Sequence, residues 1–247
     1  MSTTTRKQKE IRQREGYLLD VARKMLMEHG FSGLSMDRLA EATEYSKGTI
    51  YQHFSTKEDL VAALAVQSIE HRRELFERAR KFDGRARERM FAIGVADELF
   101  GRLHPQYYKA EMVIRLANLQ DRADVQRRKL LRDRDRECAG WVREIIEDAA
   151  HDGDLVLRTP WTAESLAKAT FAIAVGTHLG LVNAEPLFEG GECPMDHACC
   201  MKRESVNMML DGFGWRPLYT EWDYAATRIR VMETIFPDEW RIINGDQ

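Results

Sequence analysis

An all-α fold is predicted by three features of the sequence. Almost every segment between chain breakers repeats its apolar residues at a period near 3.6, and no run of β-branched residues alternates at period 2. Pro and Gly are also sparse, at 6 and 16 in 247 residues. Hydrophobic residues make up 44% and charged residues 31%, a globular composition too apolar for a disordered chain. The length accommodates one large domain or a small head on a larger body.

The elements follow in order. Leu18, Ala22, Met25 and Leu26 fall at i, i+4, i+7 and i+8, one stripe of a first helix. Gly30 closes that helix as a left-handed C′ residue, with Phe31 folding back on Leu26. Ser35 caps a short helix from Met36 to about Thr43, and Ser46 caps another from Lys47 to Phe54. Ser55 with Glu58, or Thr56 with Asp59, offers a capping box for a long fourth helix. Beyond Leu60 the helices lengthen. Breaks are expected at Asp83-Gly84, His104-Pro105, Gln120–Ala123, Asp152-Gly153, Thr159-Pro160, Ala184 to about Asp196, Gly212 to Pro217, and Pro237. Cys138 shares a stripe with Val142, Ile145 and Ala149 and is assigned to the core.

The first ten residues contain no apolar run that a secretion machinery would recognise. The longest uncharged run, Ala169 to Ala184, contains His178, Asn183 and two glycines and falls short of the roughly 18 apolar residues a bilayer span needs. A cytoplasmic protein with no membrane partner is expected, its four cysteines reduced thiols rather than a disulfide framework.

The formal net charge of −3 argues against a protein coated in positive charge, so any nucleic-acid contact must be local. Residues 1–57 carry ten Lys and Arg against seven acids, whereas the remainder carries 27 against 33. A mildly basic head on an acidic body is the asymmetry expected if only the head meets a polyanion.

The head holds the informative constellation. Two short helices joined by a turn of three or four residues, Leu34 to Phe54, follow the helix-turn-helix plan, whose second helix is polar outward and anchored inward. Ile50 and Phe54 supply the anchor. Lys47, Gly48, Thr49, Tyr51, Gln52 and His53 are left on or near the outer surface. Gly48 lets backbone approach a phosphate, and N–H groups at the helix start favour an anion. Thr49, Tyr51 and His53 can donate to phosphates, while Gln52 and Lys47 are residue types able to read base edges. The alternative, a plain amphipathic helix of a bundle, gives no reason for Gly, Thr, Tyr and His together on one exposed face.

At these residues the sequence resembles the tetracycline-repressor (TetR) family of bacterial regulators. The resemblance rests on Ser35-Met36, Ala40, Ser46-Lys47-Gly48-Thr49-Ile50-Tyr51-Gln52-His53-Phe54 and Thr56-Lys57-Glu58-Asp59-Leu60. It covers roughly the first quarter of the chain. It implies a three-helix DNA-binding head, residues 1–57, on a helical body, residues 58–247, that binds a ligand and forms a homodimer. Family DNA contacts fall on Ser35, Lys47, Gly48, Thr49, Tyr51, Gln52, His53 and Lys57, with Arg6 and Lys7 as a disordered arm. The sequence departs from the pattern at Thr43-Glu44-Tyr45, where the family carries Gly in the middle and a small aliphatic after it. A positive φ at Glu44 would cost about 1 kcal/mol relative to Gly.

The function implied is an effector-responsive regulator, a repressor on a palindromic double-stranded DNA operator. The resemblance places the dimer contact in the last long helices, here Thr162–Asn183 and about Cys199–Phe213, joined by Tyr224–Phe236. Leu166, Ala169, Thr170, Ile173, Ala174, Thr177 and Leu181 form a stripe of mostly small residues that serves either that contact or an internal core. Candidates for the pocket of a small-molecule effector are Tyr107, Tyr108, Met112, Arg115, Trp141, His178 and Asn183, which combine size with a polar handle.

A second reading keeps the DNA head but makes Cys193, His197, Cys199 and Cys200 a metal-ion or oxidant sensor, although their spacing fits no zinc pattern; inert thiols in a loop are the alternative. Arg127 through Arg136 alternates with acids and reads as a solvated helix face. An enzyme is disfavoured, because no phosphate-binding Gly loop, nucleophile elbow or zinc-hydrolase motif is present.

Overall fold

The computed structural model describes the backbone of residues 3–116, 122–178 and 195–245, with side chains except at 3–5, 109, 110, 113–116, 178 and 195–199. The described residues form helices without a strand: α1 (Thr3–Gly33), α2 (Met36–Thr43), α3 (Lys47–His53), α4 (Lys57–Ala79), α5 (Ala86–Leu103), α6 (Pro105–Leu116), α7 (Val125–His151), α8 (Ala163–His178), α9 (Met195–Gly212), α10 (Tyr224–Thr234) and α11 (Pro237–Asn244). The all-α expectation is met. No described helix is long and apolar enough to cross a membrane.

Local chemistry sets the short helices. The Ser35 hydroxyl accepts the Arg38 N–H at 3.1 Å and the Ser46 hydroxyl accepts the Thr49 N–H at 3.1 Å, so each satisfies a donor that a helix start leaves unpaired. Thr56 does the same for α4, accepting from the Asp59 N–H at 3.0 Å. Pro237 opens α11 as well as following the end of α10, since its ring suits the first helical position.

Two details differ from expectation. Gly30, with φ 66° and ψ −175°, breaks the helical backbone inside α1, so the long helix stops there as expected but with a ψ outside the left-handed helical region, and one further turn carries the chain to Gly33. That conformation is open essentially to Gly alone. Arg6 and Lys7 lie within α1 instead of in a disordered arm, Arg6 pairing with Glu10 at 3.0 Å one turn on.

Packing divides the chain into two compact units, Met1–His71 with Pro105–Arg134, and Arg72–His104 with Asp135–Gln247. In the first, α1 packs on α2 and α6, and α2 on α3. Leu18, Leu26, Leu34, Leu39, Ile50, Phe54, Leu60 and Leu64 are completely buried there. Each such side chain contributes about 1.5–3 kcal/mol by leaving water. Arg23 is buried beside them, donating to Gln67 at 2.6 Å with its guanidinium 4.0 Å from the Tyr107 ring centre.

In the second unit α5 packs on α9, α10 and α11, and α8 on α9, around Val95, Leu99, Phe100, Ile146, Trp215, Val231 and Phe236. Arg87 is completely buried in this core. It is tolerated because it donates to Asp211 at 2.9 Å and to the Asn207 carbonyl at 3.1 Å. Burial nearby pushes the Tyr224 hydroxyl up to about 12, and that hydroxyl donates to the Pro217 carbonyl at 2.7 Å.

Candidate nucleic-acid interface

The chain leaves α2 through Glu44, whose φ of 58° and ψ of 14° make it the only non-glycine with positive φ among the described residues. Glu44 therefore occupies the left-handed cap position where the family pattern carries Gly. The next departure, Tyr45, has partners in α1: its ring stands edge-on to Tyr17 at 6.3 Å and 5.5 Å from the Arg14 guanidinium. Those contacts give this larger residue a place to pack, which no local spacing in the sequence announces.

Ile50 and Phe54 point into the core as their i, i+4 spacing requires. Opposite them Lys47, Gly48, Tyr51 and Gln52 are exposed, Tyr51 by 52%, and Thr49 is half-buried. The Thr49 hydroxyl lies 2.9 Å from that of Ser46. Ser35, half-buried, accepts one N–H while its own hydroxyl proton remains able to donate. Lys47 pairs with Asp37 at 2.9 Å, a hydrogen bond that raises the ammonium pKa. Both groups are largely exposed, so a phosphate could replace the carboxylate at little cost.

Gly48 is informative by what does not surround it. Its φ is not positive, and a Cβ placed there would meet only the Ser46 hydroxyl at 3.8 Å. Nothing within the described protein requires Gly at this position.

Two of the eight predicted residues sit differently from the rest. The His53 side chain is only 6% exposed, and its Nδ1 lies 3.7 Å from Glu15 on α1. Lys57 is half-buried with its ammonium 3.9 Å from the Phe31 ring centre, and burial lowers its pKa.

The sequence also left one residue of this neighbourhood unnoticed. Arg127, read as part of a solvated face, is only 21% exposed and donates to Asp59 at 2.8 Å and to Glu15 at 3.1 Å. Its alternation with acids in sequence gave no sign of partners so far along the chain. Burial pushes the Asp59 carboxyl up, but the N–H groups of Asp124 and Ser55 and the Arg127 guanidinium outweigh it. Asp59 consequently titrates below the usual carboxylate range.

Of the effector candidates, Tyr107, Tyr108 and Met112 lie on α6 in the first unit. Tyr108 and Met112 are buried, and Tyr107 stands edge-on to His71 at 4.7 Å. Trp141 is buried in the second unit, 5.8 Å from the Arg73 guanidinium and 5.1 Å from that of Arg80. The side chains of Arg115 and His178, and all of Asn183, lie outside the described residues. A cleft of about 510 Å³ in the second unit, lined by Asp154, Arg158, Trp161, Phe213 and Arg216 among others, includes none of these candidates.

Cys193 and the side chains of His197 and Cys199 likewise lie outside the described residues. Cys200 is exposed and accepts from Arg203 at 3.4 Å, and Cys138 is buried as its stripe predicts. Among the described residues no group of three or more His, Cys, Asp or Glu is arranged to hold a metal ion.

Among known proteins, strong sequence likeness lies in a short segment, whereas likeness of fold extends over most of the chain. AcnR, a transcriptional repressor of Corynebacterium glutamicum, is 48% identical over 48 residues, which are 19% of this chain and 26% of that protein. The chain thus spans about a quarter of the length of that relative. A tetR-family regulatory protein from Rhodococcus RHA1 has a similar fold, with TM-score 0.61, 16% identity, and coverage of 81% of this chain and 97% of that one. AibR, solved with isovaleryl coenzyme A and operator DNA, is similar at TM-score 0.56 and 18% identity, over 79% of this chain and 97% of its own. Residues 18–64, which contain the capped helix pair and its anchors, match the model for bacterial regulatory proteins of the tetR family.

Proposed function

We propose that this chain is a cytoplasmic, homodimeric regulator that binds a palindromic double-stranded DNA operator through its head, residues 1–57. In this reading it acts as a repressor, releasing the operator when a small-molecule effector binds the body, residues 58–247. The observation that carries the reading is the outer face of α3. Lys47, Gly48, Thr49, Tyr51 and Gln52 line it opposite a buried anchor, with nothing inside the described protein accounting for Gly48. Thr49 and Tyr51 donate to phosphates, Gly48 admits a close backbone approach, and Lys47 and Gln52 face base edges. Ser35 adds a phosphate contact from the start of α2. His53 and Lys57 contribute through the positions they hold rather than through freely projecting side chains.

One head with so few cations grips DNA weakly, because affinity grows with the number of phosphates neutralised. Two heads on a palindrome answer this. Phe171 on α8, with Met201 and Met208 on α9, are exposed apolar side chains on two helices packed together, and Met208 is 70% exposed. They supply the surface for a second copy. AibR, solved in complex with isovaleryl coenzyme A and operator DNA, is a precedent for a protein of this fold that holds both a small molecule and DNA. An effector switches the protein only if it binds the arrangement unable to hold DNA more tightly than the one that holds it.

The test is Tyr51→Ala in the full chain. Tyr51 is half-exposed, so stability should change by no more than about 0.5 kcal/mol. Operator binding, measured on duplexes selected from random-sequence DNA by the wild-type protein, should weaken at least about tenfold through the lost phosphate contact. Unchanged affinity would remove α3 from the interface.

A further inference from the structure

Arg127 stands on the first turn of α7, and its planar guanidinium reaches three other helices at once. One nitrogen donates to Asp59 Oδ2 on α4 at 2.8 Å. The other donates to Glu15 Oε1 on α1 at 3.1 Å and to the carbonyl oxygen of His53, the last residue of α3, at 3.0 Å. The guanidinium carbon lies 5.1 Å from the centre of the Phe54 ring. A helix leaves its final carbonyls without partners and carries partial negative charge there, so a cation at the end of α3 is favoured on both counts. Asp59 completes the arrangement. It accepts the Ser55 N–H at 2.9 Å and the Ser55 hydroxyl at 3.2 Å, immediately beyond α3, and the Asp124 N–H at 3.0 Å, immediately before α7.

We infer that Arg127 is the positioning residue for the DNA-reading helix: it fixes the pitch of α3 by clamping the segment His53-Phe54-Ser55 between the first turns of α4 and α7. The inference rests on α3 being the helix that reads DNA. Because the N-terminal end of α3 is held separately, by the Ser46 cap and the Tyr45 contacts, releasing the clamp frees only the far end. Tyr51 and Gln52 lie next to that end. Whatever lifts or turns the first turn of α7 therefore alters how these side chains meet a groove, while the apolar core that anchors α3 stays in place. Lysine cannot substitute, since an ammonium is a point charge and cannot span Asp59, Glu15 and the His53 carbonyl in one plane. Arg127 is not itself a phosphate ligand in this arrangement, because both guanidinium ends are engaged by acids.

The experiment measures binding of the full chain to a fluorescent duplex selected from random-sequence DNA, at several KCl concentrations. Arg127→Lys retains the charge beside Asp59 and should keep its helix content while Kd rises about tenfold, comparable to losing one good base contact. The slope of log Kd against log salt should match wild type, since no phosphate contact is lost. If Arg127→Lys does not fold, the paired variant Arg127→Met with Asp59→Asn, which removes the buried carboxylate together with the guanidinium and leaves the one-third-exposed Glu15 to be solvated, is measured instead with the same expectation. Wild-type affinity in the folded variant would overturn the clamp, and so would a salt slope reduced by about one, which would make Arg127 a phosphate ligand. Tyr51→Ala is run in parallel. Wild-type affinity there would overturn the DNA-reading assignment of α3 itself, whereas lost binding by Tyr51→Ala with intact binding by the Arg127 variant would overturn the clamp alone.

Discussion

Glu44→Gly should stabilise the protein, and the gain can be worked from the backbone. At φ 58° the Cβ of an L-residue crowds the following carbonyl, at a cost of about 1–2 kcal/mol that Gly does not incur. Gly returns about 0.4–1 kcal/mol through the greater freedom of its unfolded chain. Removing a carboxylate from the C-terminal end of α2, where the helix dipole disfavours it, adds about 0.3 kcal/mol. The net is a gain of about 1 kcal/mol, or roughly 2–4 °C in Tm for a chain of this size. All five tryptophans lie beyond residue 140, so far-UV circular dichroism rather than tryptophan emission should follow urea unfolding of the head. Glu44→Ala is the control. It removes the charge but keeps the strain, so it should gain only the smaller charge contribution. Equal stabilisation by Ala and Gly would show that left-handed strain is not the source, and a loss of stability with Gly would mean that the exposed Glu44 side chain supports the native turn.

The remaining predictions address the site, the acid response and the assembly. Gly48→Ala should leave stability unchanged or raise it by up to roughly 1 kcal/mol, since Ala is the better helix former and its Cβ meets no obstruction, yet weaken operator binding in an anisotropy titration. A stable variant with full affinity would remove the close-approach role. Asp59 has a folded pKa below its unfolded value of about 3.9, so its contribution is present above that unfolded value and fades as pH falls through the lower folded one. Urea midpoints measured from pH 7 down to pH 3 should therefore fall less steeply for Asp59→Asn than for wild type in the acid range, and parallel curves would contradict this. Met208→Glu, at a side chain 70% exposed, should leave helix content intact but shift sedimentation from dimer toward monomer; an unchanged dimer would place the interface elsewhere.

How much was legible in advance depends on the range of the interaction concerned. The bounds of α2, its Ser35 cap, the Ser46 cap of α3 and the inward turn of Ile50 and Phe54 all follow from residues three or four positions apart, because a hydroxyl three residues before an N–H, or an apolar side chain one turn on, is placed by helix geometry alone. The left-handed backbone at Glu44 was anticipated only through the family resemblance, whose pattern carries Gly at that position. His53, Lys57 and Arg127 were not legible. Helical spacing alone does not reveal the neighbours contributed by other helices: Glu15 faces His53, and the Phe31 ring lies beneath the Lys57 ammonium. The partners of Arg127 lie 68 and 112 residues away in sequence. The sequence by itself determined an all-helical chain, its capped helix pair and the polar face of α3, because these rest on local hydrogen bonding and period. Only the tertiary structure decided which charges on that head remain available to a partner and which are already held, because an ion pair is made by whichever elements the packing of the core brings within reach.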